Sequence, residues 1–200
     1  MKVSYITIER EYGSGGTKIA RTLAEQTGIP CYGSEILDEV SRRYGVSVDE
    51  IEKYEETVSN SLLYSMFVLG QAAAGKQDML SREGHIFVAE QQVIQAFARQ
   101  GRAIFLGHCA CEALKDFPGV VKAFIRCSDP AARQKRIVEE YGIAPERAEA
   151  TRKRFDKKRA NYYSANTTKK WDNHDNYEIV LDSGKLGIDG CVAVLKGLLA

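Results

Sequence analysis

Apolar and polar positions divide the chain into alternating strand-like and helix-like stretches. Over 3–8 they alternate among β-branched residues, which predicts a strand, closed by Gly13-Ser14-Gly15-Gly16. Over 17–26, Ile19, Ala20, Leu23 and Ala24 recur at helical spacing, and Gly28 supplies the stop. Residues 29–32 read as a short extended piece. Helical patterning then runs from 34 to about 75 in three pieces. Ser47 and Glu50 stand at capping-box spacing in the second, and Ser59 or Asn60 caps the third. Further on, the pattern predicts a helix over 83–100, strands over 102–106 and 120–127, and helices over 131–141 and 145 to about 164. A last strand over 177–181 and a closing helix over 189–199 complete the chain.

Strands separated by helices imply βαβ units and a parallel sheet. The runs AIFL and EIVL suit strands buried on both faces. Ligands of such sheets bind beyond the carboxyl ends of the strands. Chemistry is therefore expected at 10–17, 33–35, 107–109, 128–129 and 182–183.

The first of these segments carries the sharpest signal. A strand, a glycine-rich loop and a helix together form a cradle for phosphate. Backbone amides line it, and the helix N-terminus adds partial positive charge. Gly13, Ser14, Gly15 and Gly16 fit that cradle, and Thr17 supplies a hydroxyl for Mg²⁺. Against G-x-x-x-x-G-K-[ST], Gly15 and Thr17 match, while Arg10 stands at the first glycine and Gly16 replaces the lysine. Lys18 lies two residues on, about 200° around a helix, and should point elsewhere. Arg10, at the strand end, is the better phosphate ligand. A tight βα turn with no ligand is the plainer alternative.

Residues 152–159 hold six basic groups and one acid. Arg152, Asp156 and Arg159 fall at i, i+4 and i+7, on one helix face. Two arginines there suit a bidentate grip on phosphate oxygens. Asp156 would orient an arginine or accept a sugar hydroxyl. Arg133 and Arg136 are further candidates for the same anion. A solvated basic helix and a nucleic-acid patch, with Tyr162, Tyr163 and Trp171 as stacking groups, are the competing readings.

Composition narrows the choice. The 200 residues are 44% hydrophobic and 28% charged, which fits one globular domain and excludes a disordered or fibrous chain. The net charge of +1 argues against coating a nucleic acid or a membrane surface. It hides a segregation: 133–170 holds 12 basic and 5 acidic residues, whereas 35–56 holds 3 basic and 8 acidic. A local cationic lid suits a small, highly charged ligand. The five cysteines, odd in number and without C-x-x-C spacing, read as free thiols of a cytoplasmic protein. The N-terminus has no secretory apolar run, and the apolar stretch 62–74 is too short to span a bilayer. That stretch would cover the core or form a homodimer contact.

The chain resembles the cytidylate kinase-like family, a branch of the P-loop nucleoside monophosphate kinases, nearly end to end. The resemblance is carried by ITIEREYGSGGTKIARTLAEQTGIPCY, AIFLGHCACEAL, VKAFIRCSDPAARQKRI and DKKRANYYSANTTKKWDNHDNYEIVLDSGKLGID. It implies an α/β fold of P-loop NTPase type: a three-layer sandwich with a five-stranded parallel sheet flanked by helices. The core would be 1–33, 76–145 and 177–200, with a helical acceptor-binding insert over 34–75 and a lid over 146–176. The branch itself lacks the loop lysine. The lid pattern R-x-x-x-D-x-x-R is matched by Arg152, Asp156 and Arg159, implying arginines on the phosphates and the aspartate near the acceptor. The donor would be ATP or another nucleoside triphosphate with Mg²⁺.

Two departures fall on the acceptor side. Where cytidylate kinases carry D-G-R-D, this chain has Leu106-Gly107-His108-Cys109. Where the insert would begin D-K-E-L, it has Gly33-Ser34-Glu35-Ile36. His108 and Glu35 are therefore the expected acceptor-binding residues, a packed or capping histidine being the plainer reading of His108. The sequence thus points to phosphoryl transfer to a nucleotide or another small molecule, with a non-catalytic nucleotide-binding regulator as the alternative.

Overall fold

A computed structural model describes residues 2–49 and 82–199. The apolar stretch 62–74, the caps at 59–60 and Glu50 of the capping box lie outside these residues.

Five parallel strands form one sheet in the order β2-β3-β1-β4-β5. They are β1 (Tyr5–Arg10), β2 (Cys31–Tyr32), β3 (Ala103–Leu106), β4 (Val120–Arg126) and β5 (Ile179–Asp182). Between β1 and β2 lies α1 (Gly16–Thr27), and α2 (Ser34–Tyr44) and α3 (Arg82–Ala98) precede β3. The short α4 (Ala110–Ala113) follows β3, and α5 (Pro130–Glu139) and α6 (Pro145–Thr167) follow β4. The chain closes with α7 (Ser183–Leu198). This is the α/β three-layer architecture expected from the sequence. No helix among the described residues is long and apolar enough to cross a membrane.

Strand alternation sorts the two cores. Ile6 and Ile8 of β1, Ile104 and Leu106 of β3, and Ala123 and Ile125 of β4 face one layer, packed with Ile19 and Leu23 of α1 and Leu195 of α7. Phe105 and Phe124 face the other layer, with Ile36, Phe87, Ile94, Tyr163 and Trp171. The pleat places Glu9 on this second side, opposite Ile8.

Local signals set the ends of elements. Asp129 caps α5 by accepting from the Ala131 and Ala132 amides, and Pro130 fills the first helical position. A helical turn opens at Ser183, ahead of the closing helix expected from 189. Asp182 caps it by accepting from the Gly184 amide, and Gly187 (φ 68°) kinks it where the sequence pattern predicted a start. The basic helix runs on past 164 to Thr167. Its final turns leave solvent, with Tyr162, Tyr163, Asn166 and Thr167 buried. The two polar side chains bond back within the helix, Asn166 to the Tyr162 carbonyl and Thr167 to the Tyr163 carbonyl.

Candidate functional site

The loop after β1 is held from outside by side chains that arrive late in the sequence. Arg133 donates through Nε to the Tyr12 carbonyl, and Arg136 through Nη1 to the Gly13 carbonyl at 3.2 Å. Ser183 Oγ donates to the Ser14 carbonyl at 2.6 Å, and Arg159 Nη1 to the Arg10 carbonyl at 2.9 Å. Asp156 Oδ1 accepts from the Tyr12 amide at 2.7 Å, while its Oδ2 pairs with Arg133. These bonds hold the loop's carbonyls from outside and help to set its curvature. Gly15, left-handed at φ 80°, opens α1 and has no side chain to cap it; Ser14 Oγ takes the Gly16 amide, and amides further along the first turn can meet an anion.

Arg10 leaves the strand over Gly16. A Cβ at Gly16 would lie 2.6 Å from Arg10 Cβ, so the position that carries lysine in the common motif here makes room for an arginine stem. The Arg10 guanidinium then rests on Gly107. A Cβ there would meet Nη1 at 2.5 Å, and the backbone holds φ 78°.

Two clefts meet at this arginine. One, of about 250 Å³, is lined by Arg10, Glu11, Tyr12, Gly13, Gly16, Thr17, Tyr141 and Arg159. The other, of about 160 Å³, is lined by Glu9, Arg10, Gly107, His108, Phe155, Lys158, Arg159, Tyr162 and Tyr163. Arg10 and Arg159 belong to both. Burial, and after it the like charge of Arg10, press Arg159 down to about 9. Two guanidiniums crowded in a half-buried wall repel each other, and an anion seated between them would relieve that repulsion.

The second cleft has an unusual wall. Gly107, His108 and Cys109 are all left-handed (φ 78°, 55° and 49°), and the Ala110 amide closes the turn on the Gly107 carbonyl at 3.1 Å. Consecutive non-glycine residues with positive φ are costly and collect at functional sites. Opposite them Glu9 is 7% exposed, with Oε2 accepting from Trp171 Nε1 at 3.1 Å. Burial raises its pKa, against the pull of Arg10, Trp171, Arg159 and His108.

Comparison with known proteins identifies the architecture. The model of the cytidylate kinase-like family matches residues 5–185. The chain belongs to that family. A structure of an uncharacterized protein from Eubacterium ventriosum is 26% identical, with TM-score 0.71, over 98% of this chain and 97% of that one. Shikimate kinase from Bacteroides thetaiotaomicron shares the fold at 12% identity and TM-score 0.50, over 98% and 97% of the two chains. A search of curated proteins gave no match. Family and fold together make this a kinase-like, nucleotide-binding protein.

Within this kinase-like frame the sequence candidates separate into groups. Gly13, Gly16, Thr17, Arg10 and Arg159 line the glycine-loop cleft. Gly15 and the fully buried Ser14 shape the loop from inside, Ser14 Oγ accepting from the Gly16 amide at 3.3 Å. Arg133 and Asp156 bond to the loop itself. Arg152 Nη1 lies 3.8 Å from Asp156 Oδ2 and lines a separate cleft of about 490 Å³ with Arg133, Gln134 and Glu149. The shared helix face is thus real, but only Arg159 reaches the junction of the two clefts. His108 lines the second cleft.

Glu35 lies apart, bonded to Arg21 and the Gly33 amide, each at 2.8 Å. Burial opposes its ionisation, but those bonds prevail and hold it near 2. Lys18 points away from the loop, toward Glu140. The second cleft also contains Glu9, Lys158, Tyr162 and Tyr163, which the sequence reading did not nominate as substrate ligands. For Glu9 the available signal was a carboxylate next to the last position of a central strand.

Proposed function

We propose that the protein transfers the γ-phosphoryl group of a nucleoside triphosphate, ATP or another, to a small-molecule acceptor. The triphosphate occupies the glycine-loop cleft, and the acceptor occupies the cleft at His108. The observation that carries this reading is the position of Arg10 and Arg159 in the wall common to both. Phosphoryl transfer is mostly positioning and charge stabilisation, and its transition state spreads negative charge over oxygens midway between donor and acceptor. Two guanidiniums at that midpoint are what the reaction needs. Asp156, Arg133 and Arg136 keep the loop shaped for the triphosphate. Thr17 presents one oxygen to the donor cleft. That fits Mg²⁺, which binds through few protein oxygens together with substrate phosphates and water, and which neutralises phosphate charge when bound.

To test this, the protein is incubated with ATP, Mg²⁺ and a panel of acceptors that includes nucleoside monophosphates, and acceptor-dependent ADP release is measured. Release that depends on Arg159 supports the reading. Thermal stabilisation by ATP with no turnover would instead leave a nucleotide-binding regulator.

A further inference from the structure

The acceptor cleft holds a group that transfer to a phosphate would not use. Glu9 lies one residue before Arg10 and lines the same cleft as His108. Phosphate and hydroxyl acceptors differ in what they ask of a base. A phosphate acceptor is already anionic at neutral pH and is attracted by the Arg10, Lys158 and Arg159 cations of the cleft, but it needs no carboxylate to take a proton. A hydroxyl acceptor must lose its proton as it attacks, and a carboxylate within reach takes it, as in kinases that act on hydroxyls. We infer that the acceptor is a small hydroxyl compound and that Glu9 is the base that receives its proton. This rests on the phosphotransferase reading above.

The step balances. The acceptor oxygen forms a bond to the γ-phosphorus, and the bond from that phosphorus to the β,γ-bridging oxygen breaks. The nucleoside diphosphate leaves with the electron pair, and the hydroxyl proton passes to the Glu9 carboxylate. Trp171 Nε1 donates to Oε2 at 3.1 Å, which fixes the carboxylate at the wall of the cleft. Burial strengthens Glu9 as a base relative to a free carboxylate. The space bounded by the described residues, about 160 Å³, matches an acceptor of a single small ring, since a cavity of about 150 Å³ accommodates benzene.

The experiment supplies the whole protein with γ-³²P-labelled ATP, Mg²⁺ and a small-molecule extract of bacterial cells. Half of the extract is first stripped of phosphate groups by immobilised phosphatase. The expected product is an acid-stable phosphomonoester, formed from both halves. Glu9→Gln, whose amide oxygen can still accept from Trp171, should lower the rate roughly 10²-fold or more. It should leave ATP binding and Tm near wild type, and Glu9→Asp should recover part of the rate. An acid-labile phosphoanhydride as the product, or a Glu9→Gln protein at the wild-type rate, would each overturn the inference while leaving the kinase reading intact. No labelled product from either half would overturn both.

Discussion

Around the glycine loop, Arg133, Arg136 and Arg159 are bonded to main-chain carbonyls, and Asp156 takes a main-chain amide. Around Gly107 to Cys109, the backbone is bent left-handed, and Glu9, His108, Lys158 and Arg159 converge on one small cleft. The glycine-loop side is therefore a scaffold fixed by contacts between residues more than a hundred positions apart. The other side is a strained turn facing ionisable groups. Under the function proposed above, the first would hold the triphosphate and the second would select the acceptor.

The two guanidiniums are the point where this contrast is most easily broken. Arg10→Ala and Arg159→Ala remove charge from both clefts at once. Each should lower kcat about 10³-fold, some 4 kcal/mol of transition-state stabilisation, with a smaller rise in the KM for ATP. Initial-rate kinetics give both numbers. An unchanged kcat in either variant would remove the arginine pair from the chemistry. Arg159→Lys should rescue little, since a lysine cannot span the Arg10 carbonyl and a phosphate with one planar fork.

Asp156 tests the scaffold alone. Asp156→Asn keeps an acceptor for the Tyr12 amide but removes the charge that faces Arg133, which is 7% exposed. Arg133 would keep Glu11 at 3.3 Å as its ionic partner, so losing the Asp156 charge should cost about 1–2 kcal/mol of stability. ATP should bind roughly tenfold more weakly, a loss of about 1.4 kcal/mol. Chemical denaturation and calorimetric titration check the two effects. Weaker ATP binding with unchanged stability would mean that Asp156 touches the ligand instead of the loop.

Gly107→Ala moves the test to the acceptor side. The added carbon would need φ near 78° and would meet Arg10 Nη1 at 2.5 Å. The backbone cost is about 1 kcal/mol, a fall in Tm of a few degrees at this chain length. Arg10 would swing aside, so kcat should fall further than stability does, while ATP binding holds. Equal losses in the two would make Gly107 a packing residue and nothing more.

What the sequence made legible divides along the same line. Periodicity located β1, and the glycine run located the loop. The i, i+4, i+7 spacing placed Arg152, Asp156 and Arg159 on one helix face, of which Asp156 and Arg159 bond to the loop after β1. These are local patterns, and local patterns report local structure. Ser183 fell in a segment expected to carry chemistry, at the end of the last strand, but its bond to Ser14 across 169 positions had no local signature, because only the β4–β5 crossover brings the two together. Glu9 was hidden differently. Strand alternation marks it as one more residue facing away from Ile8, and only α6 and Trp171, packed over that side, turn the position into a buried acid at a cleft. The early start of α7 escaped because SGKLGIDG has poor helix propensity, which the Asp182 cap overcomes.

Glu35 marks the outer edge of this contrast and carries the smallest expected effect. It sits in the first turn of α2, just beyond β2, where a ligand-binding residue was expected, yet its carboxylate is engaged with Arg21 and the Gly33 amide. Those bonds hold it near 2, against an ordinary value of 4.5. A carboxyl depressed by folding stabilises fully above its unfolded value and loses that contribution as pH falls through the folded one. The window is therefore about 4.5 down to about 2. Both partners are some 40% exposed, so solvent screening keeps the contribution small. Glu35→Gln should lower Tm slightly at neutral pH and match the wild type near pH 2, and added salt should shrink the gap. Thermal melts across that range decide it. If instead Glu35→Gln leaves every melt unchanged but raises KM for the acceptor, the residue belongs to the substrate, and the acceptor site extends beyond the cleft at His108.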